Sequence, residues 1–143
     1  MAIRRLALVV NRTKPGVDAI VHTVQETARV AGVTVTVVDG WPISRESLRG
    51  CDACGVVGGD GTFLGVAEPA ALEGVPLFGI NRGKLGFLAA YPSDDVGASI
   101  RSILAGDFRR ENRALLEVRF ADRTFALALN LSLIHISEPT RPY

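Results

Sequence analysis

Ala53-Cys54-Gly55-Val56-Val57-Gly58-Gly59-Asp60-Gly61-Thr62 is the stretch on which the fold of this chain turns. Ala53 to Val57 is an uninterrupted apolar run, as expected of a parallel strand covered on both faces. It leads straight into two glycines, an aspartate and a third glycine, after which Phe63 to Leu72 reads as a helix that Pro69 limits or kinks. A glycine-rich turn between a buried strand and a helix lies at the carboxyl edge of the sheet, where α/β folds bind ligands. Glycines there let the backbone turn tightly and approach phosphate oxygens, and the helix N-terminus adds partial positive charge. Asp60 is out of place in such a cradle, because a carboxylate repels phosphate. Its presence implies that it takes a proton from an attacking hydroxyl, holds a divalent cation or anchors a ribose hydroxyl. The plain alternative is an aspartate in a favourable turn position.

Upstream, Leu6 to Val10 is a second apolar run, followed by a turn at Arg12-Thr13-Lys14-Pro15-Gly16. Val17, Ile20, Val21, Val24 and Ala28 repeat at helical spacing, and Gly32 closes that helix. Val33 to Val38 is β-branched and reads as a strand. The polar stretch Ser44 to Arg49 holds a short helix capped by Ser44. Downstream, Leu77 to Ile80 is a fourth strand and enters a second glycine cluster, Asn81 to Phe87. Ser93 or Asp94 caps a last helix whose apolar face is Val96, Ile100, Ile103 and Leu104, ending at Gly106. The β-α-β-β-α-β-α order predicts a Rossmann-like α/β fold, a parallel sheet with helices on both faces. The pattern changes after Arg113. Leu116, Val118 and Phe120 alternate with polar residues, Ala121-Asp122-Arg123 turns, and Phe125, Leu127 and Leu129 alternate again. That is a half-buried antiparallel hairpin, the opening of a β-rich domain.

Composition narrows the function classes. The 143 residues carry 48% apolar and 22% charged side chains, which is a globular rather than a disordered balance. A net charge of +1 leaves no electrostatic footprint for nucleic acid and no polybasic membrane patch. No run approaches the ~18 apolar residues of a membrane span, and the short apolar run after Arg4-Arg5 lacks a cleavage site. Two cysteines, Cys51 and Cys54, cannot form a disulfide framework, and the chain reads as cytoplasmic. Their spacing matches a thioredoxin motif, but they precede a strand instead of opening a helix. His22 reads as a surface residue.

The second cluster, Gly79-Ile80-Asn81-Arg82-Gly83-Lys84-Leu85-Gly86-Phe87-Leu88, also follows a strand, so both glycine-rich loops belong to one edge of the sheet. Together they frame a crevice for an extended phosphate-bearing ligand. Arg82 and Lys84 can neutralise phosphates, while Phe87 either stacks on a base or plugs the core. Neither cluster is a P-loop or a dinucleotide fingerprint: Gly79 to Lys84 is one residue short of the first and lacks the Ser or Thr after Lys, and Gly59 to Gly65 misses the second by one spacing.

Taken together, Gly58-Gly59-Asp60-Gly61-Thr62 and the segment Gly79 to Leu88 resemble the bacterial NAD kinases, and the resemblance runs on to Ala128-Leu129-Asn130. The first element alone is shared with diacylglycerol and sphingosine kinases and, in a close form, with phosphofructokinases; the second is far more specific. The resemblance implies phosphoryl transfer from ATP, with Mg²⁺, to the adenosine 2′-hydroxyl of NAD, giving NADP. Carried over by position, Asp60 is the catalytic proton acceptor. Gly59, Gly61, Thr62, Asn81, Gly86, Phe87 and Asn130 bind the nucleotide, Gly61 against the dinucleotide, Phe87 lining its pocket and Asn130 on the ribose side. No side chain is assigned as a metal ligand. An aspartate is a weak base, but phosphoryl transfer is loose and its proton can leave late; positioning and Mg²⁺ supply most of the rate. Full-length relatives are expected to be homo-oligomers.

The chain departs from the family at position 131, which should be acidic and is Leu131. Residues 131–143 resemble the in-frame translation of a sequencing adapter and are read as a non-native tail; otherwise Leu131 to Ile136 continues a strand. The expected organisation is therefore 1–112 as the nucleotide-binding kinase domain, 113–130 as the start of an incomplete β domain, and 131–143 as the tail. The chain as written is therefore expected to be an inactive fragment of an NAD kinase; the alternatives are a truncated, non-catalytic nucleotide-binding module and a lipid kinase of the diacylglycerol kinase type.

Overall fold

Residues 2–81, 91–92, 95–108, 110, 112, 115–119 and 125–128 are described by the structure, a computed structural model. The apolar runs form β1 (Arg5–Val10), β2 (Thr34–Val38), β3 (Ala53–Gly58) and β4 (Leu77–Asn81), joined at the edge by the two-residue β5 (Tyr91–Pro92). They make one parallel sheet of order β2-β1-β3-β4-β5. β1 is an interior strand, paired on both edges: Leu6–Val10 stand opposite Ala53–Val57, and Arg5–Val9 opposite Thr34–Val38.

Alternation along β1 and β3 explains the two cores. Leu6, Leu8, Val10, Ala53 and Val57 pack with the apolar faces of α1 (Val17–Val30) and α3 (Val96–Leu104). Ala7, Val9, Cys54 and Val56 pack on the other side with Phe63, Val66 and Ala70 of α2 (Asp60–Glu73) and with Leu48 of a 3-10 turn, Arg45–Leu48. The helical faces expected in the sequence are those buried: Val17, Ile20, Val21, Val24 and Ala28 in α1, and Val96, Ile100, Ile103 and Leu104 in α3. Helices therefore cover both faces, as the α/β reading requires. His22 is exposed.

All three helices stop by the same device. Gly32, Gly74 and Gly106 have φ of 74°, 68° and 83°, in the left-handed region that costs glycine least. Each donates its N–H to a carbonyl of the last turn, and the next residue reaches one further back: Val33 to Ala28, Val75 to Ala70, Asp107 to Ser102. These are Schellman ends, which satisfy carbonyls a helix otherwise leaves bare. Gly32 and Gly106 stand where the sequence places them.

The structure differs from the sequence reading in four places. α2 begins at Asp60 rather than Phe63, so Asp60, Gly61 and Thr62 are its first turn and not a loop. It also runs through Pro69 to Glu73; the bond lost at Pro69 is outweighed by burial of Phe63, Val66, Ala67 and Ala70. Asp95, not Ser93 or Asp94, is the N-cap of α3, the latter two lying outside the described residues. The 3-10 turn after Ser44 has no side-chain cap bond; the Ser44 and Ser47 hydroxyls bond each other at 2.9 Å. The hairpin is present as antiparallel β6 (Leu116–Arg119) and β7 (Phe125–Ala128). In its register Leu116 and Val118 oppose Ala128 and Ala126, while Phe125 and Leu127 oppose Arg119 and Glu117. Residues 120–124 and 129–143, including the suspected tail, lie outside the described residues. Among the described residues no helix is long and apolar enough to cross a membrane.

Candidate functional site

Parallel register brings the chemistry to one edge. β3 ends at Gly58, which stands opposite Asn81 at the end of β4; β1 ends at Val10 opposite Val57, and β2 ends at Val38 opposite Val9. Along the carboxyl edge the order is therefore Asp39, Asn11, Gly59-Asp60 and Asn81. β3 and β4, the strands that precede the two glycine clusters, are adjacent, while residues 82–88 of the second cluster lie outside the described residues.

The head of α2 is locked from beneath. Thr62 is buried, and its side chain packs over Gly58: a methyl group on Gly58 would stand 2.6 Å from Thr62 Oγ1 and 2.8 Å from its Cβ. Gly58 is thus a glycine that packing demands. Asn11 Nδ2 donates to Thr62 Oγ1 at 3.4 Å, while Asn11 Oδ1 accepts from the backbone N–H and the hydroxyl of Thr13 at 3.1 and 2.6 Å. One side chain so ties the loop after β1 to the first turn of α2.

Gly59 is the N-cap, with extended backbone (φ −99°, ψ −166°), a position where glycine is better tolerated than alanine. Gly61 has no such account. It lies inside the first turn of α2, exposed, and a methyl group added there would meet nothing within 4 Å outside its own helix. Glycine in a helix costs about 0.5–1 kcal/mol relative to alanine, so the fold alone would favour a larger residue. Asp60 sits half-buried at the first position of the helix, where the macrodipole favours a negative charge. Its carboxylate is therefore less anomalous than the sequence implied: the helix end that attracts phosphate also stabilises it.

Sequence reasoning missed three residues at this edge. Asn11 is one. Arg12 and Asp39 are the others: Arg12 Nε donates to Asp39 Oδ2 at 2.8 Å and Nη1 to Asp18 Oδ1 at 2.6 Å, joining the loop after β1 to the end of β2 and the start of α1. The bond to Asp39 first, and both carboxylates by their charge, hold the Arg12 guanidinium above its ordinary pKa. The available signal was position, since each follows the carboxyl end of a strand.

Of the residues assigned by resemblance, Gly59, Asp60, Gly61 and Thr62 form one helical turn, and Asn81 is placed beside Gly58 by its backbone pairing. Gly86, Phe87 and Asn130, with Arg82 and Lys84, lie outside the described residues. Among the described residues no group of three or more acidic, histidine or cysteine side chains could hold a metal ion. Mg²⁺ needs no such cage when phosphates and water supply its oxygens; Asp60 is the carboxylate at this helix head. Cys54 is buried in β3, its thiol pushed up to about 12 by desolvation, and Cys51 is raised by the same cause. Neither is an activated nucleophile.

Comparison with known proteins agrees with the geometry. Residues 42–108 match the ATP-NAD kinase N-terminal domain family. An NAD kinase of Mycolicibacterium paratuberculosis is 39% identical over 97 residues, 68% of this chain and 30% of that protein. An NAD kinase of Clostridium botulinum is 40% identical over 100 residues, 70% of this chain and 35% of that protein. One from Burkholderia lata is 44% identical over 96 residues, 66% and 30% of the two chains. The chain thus spans about a third of the length of the curated relatives it matches. With the parallel sheet, the glycine-bounded aspartate at its carboxyl edge and these matches, the chain belongs to the bacterial NAD kinase family.

Proposed function

We propose that this chain is the nucleotide-binding part of a kinase that moves a phosphoryl group from ATP to the adenosine 2′-hydroxyl of NAD. The observation that carries the reading is the pair Asp60-Gly61. A carboxylate stands at a helix head, and beside it is a glycine that neither backbone nor packing requires. Gly61 leaves room for a ligand to reach the helix backbone, and Asp60 accepts the proton of the hydroxyl held there. Gly59, Thr62 and Asn81 shape the same edge, and Gly86, Phe87 and Asn130 complete the dinucleotide side. Mg²⁺ arriving with ATP would neutralise charge on the transferred phosphoryl group, held by the phosphates and water, which leaves Asp60 free to act as the base. In this reading 1–112 is the nucleotide-binding unit and 113–130 opens the β-rich part. A cytoplasmic setting suits the two free cysteines.

The test is NADP formation from ATP and NAD, measured for this chain and for the chain joined to the remaining part of the M. paratuberculosis relative. Asp60→Asn in the active form is expected to lower turnover about 10²–10⁴-fold, the usual contribution of a positioned base. Undiminished turnover by Asp60→Asn would remove the base assignment. ATP consumption driven by a diacylglycerol and not by NAD would favour the lipid-kinase reading, and nucleotide binding without turnover in both forms the non-catalytic one.

A further inference from the structure

A kinase acting on NAD must seat two nucleotides, and of the described residues assigned to the dinucleotide, Gly59, Gly61 and Thr62 stand at the head of α2 and Asn81 at the end of β4. On the opposite flank of α2, at the carboxyl end of the edge strand β2, an open cleft of about 550 Å³ is lined by Val38, Asp39, Trp41, Ser44 and Ser47 among others. That volume falls in the range of small-molecule sites. Trp41 is 45% exposed, one of the few large apolar side chains on the described surface. Its ring lies over Gly65, where a methyl group would stand 2.8 Å from Trp41 Cζ3. Gly65 and Gly61 are four residues apart on α2, hence on one helix face and about 6 Å apart along the axis. The exposed aromatic ring therefore neighbours the open helix head.

We infer that this cleft holds the adenosine of the phosphate donor, with Trp41 as the stacking surface for the base. Asp39 offers carboxylate oxygens to ribose hydroxyls or to an exocyclic amino group, and its pairing with Arg12 at 2.8 Å offsets its repulsion of a polyphosphate. From a base at Trp41 the phosphates run back toward Gly61 and Asp60, and the donor meets the acceptor hydroxyl from the side the dinucleotide leaves free. The inference rests on the phosphotransferase reading.

Trp41 is the chain's single tryptophan, so fluorescence excited at wavelengths that tyrosine does not absorb reports on this cleft alone. Titration of the chain with Mg-ATP is expected to change that emission saturably, and NAD should neither reproduce the change nor compete with it. Trp41→Ala should weaken ATP binding, measured by calorimetry, about tenfold or more, the worth of base stacking on an aromatic. Trp41→Phe should retain most of the affinity, and NAD binding should be the same in all three proteins. ATP binding that leaves the emission unchanged and survives Trp41→Ala overturns the assignment while the kinase reading stands. A change produced by NAD in place of ATP gives the cleft to the dinucleotide and overturns it too. Binding of neither nucleotide overturns the kinase reading along with it.

Discussion

Alanine at Gly58 and at Gly61 should act in opposite directions, although the two glycines are three residues apart. At Gly58 the new methyl group stands 2.6 Å from Thr62 Oγ1 and 2.8 Å from Thr62 Cβ, and Thr62 is buried in the first turn of α2. Overpacking of this kind costs about 1–3 kcal/mol, a fall in Tm of about 3–10 °C for a chain this size. At Gly61 the methyl group meets nothing within 4 Å outside its helix, and replacing a helical glycine stabilises by up to about 0.5–1 kcal/mol. Urea unfolding should thus separate the two variants by roughly 2–4 kcal/mol. Calorimetric titration with nucleotide then gives the telling comparison. Gly61→Ala, the more stable protein, should bind NAD or ATP about tenfold or more weakly, because the methyl group occupies the ligand's approach. A Gly61→Ala protein that binds both nucleotides at full strength would refute the reasoning. So would one destabilised as much as Gly58→Ala.

Glu73 accepts from Arg45 Nε at 2.6 Å and Arg49 Nη2 at 3.3 Å with its side chain only 12% exposed, and the Arg45 bond first, then Arg49, hold its pKa below the ordinary carboxylate value. Its contribution is full above the unfolded value of about 4.3 and is lost as pH falls through the depressed one; Glu73→Gln should flatten acid unfolding in that window, and superimposable curves would count against the pairing. Cys54, with its thiol near 12, should resist alkylation in the folded chain and react only on unfolding, leaving Cys51 as the slow native target; mass-spectrometric mapping that finds Cys54 labelled first would contradict its burial. In Gly65→Ala the added methyl group would stand 2.8 Å from Trp41 Cζ3, so the ring should be pushed from its seat and the emission of the ligand-free chain should shift; an unaltered spectrum would show that the ring does not rest there.

What could be read from the sequence was whatever burial writes into residue order. β1 from Leu6 onward and β3 are covered on both faces and so lack polar side chains, and α1 and α3 are covered on one and so repeat every three or four residues. The head of α2 was hidden because glycine and aspartate are weak helix formers; the packing of Thr62 over Gly58, which no local pattern records, sets the helix start. Pro69 misled for a related reason, since a local break was overridden by the buried face around it. β5 is two residues long, too short for any period. The site was legible at Asp60 and its glycines. Asn11, Arg12, Asp39 and Trp41 were not, because what gathers them is the pairing of strands more than forty residues apart in places, as Leu6 with Ala53.

The pairing of β1 bears on how the chain is made. β1 leaves the ribosome before either of its partners, and one of them is β3, whose last residues follow some forty-seven positions later. Until Gly58 has emerged, a ribbon of leucine and valine must wait with one edge unmated, and long-range pairing of this kind is slow and exposed to aggregation. Synthesis that stalls between β2 and β3 would release a sticky intermediate, so translation speed over codons 39–58 should influence yield more than speed anywhere later in the message.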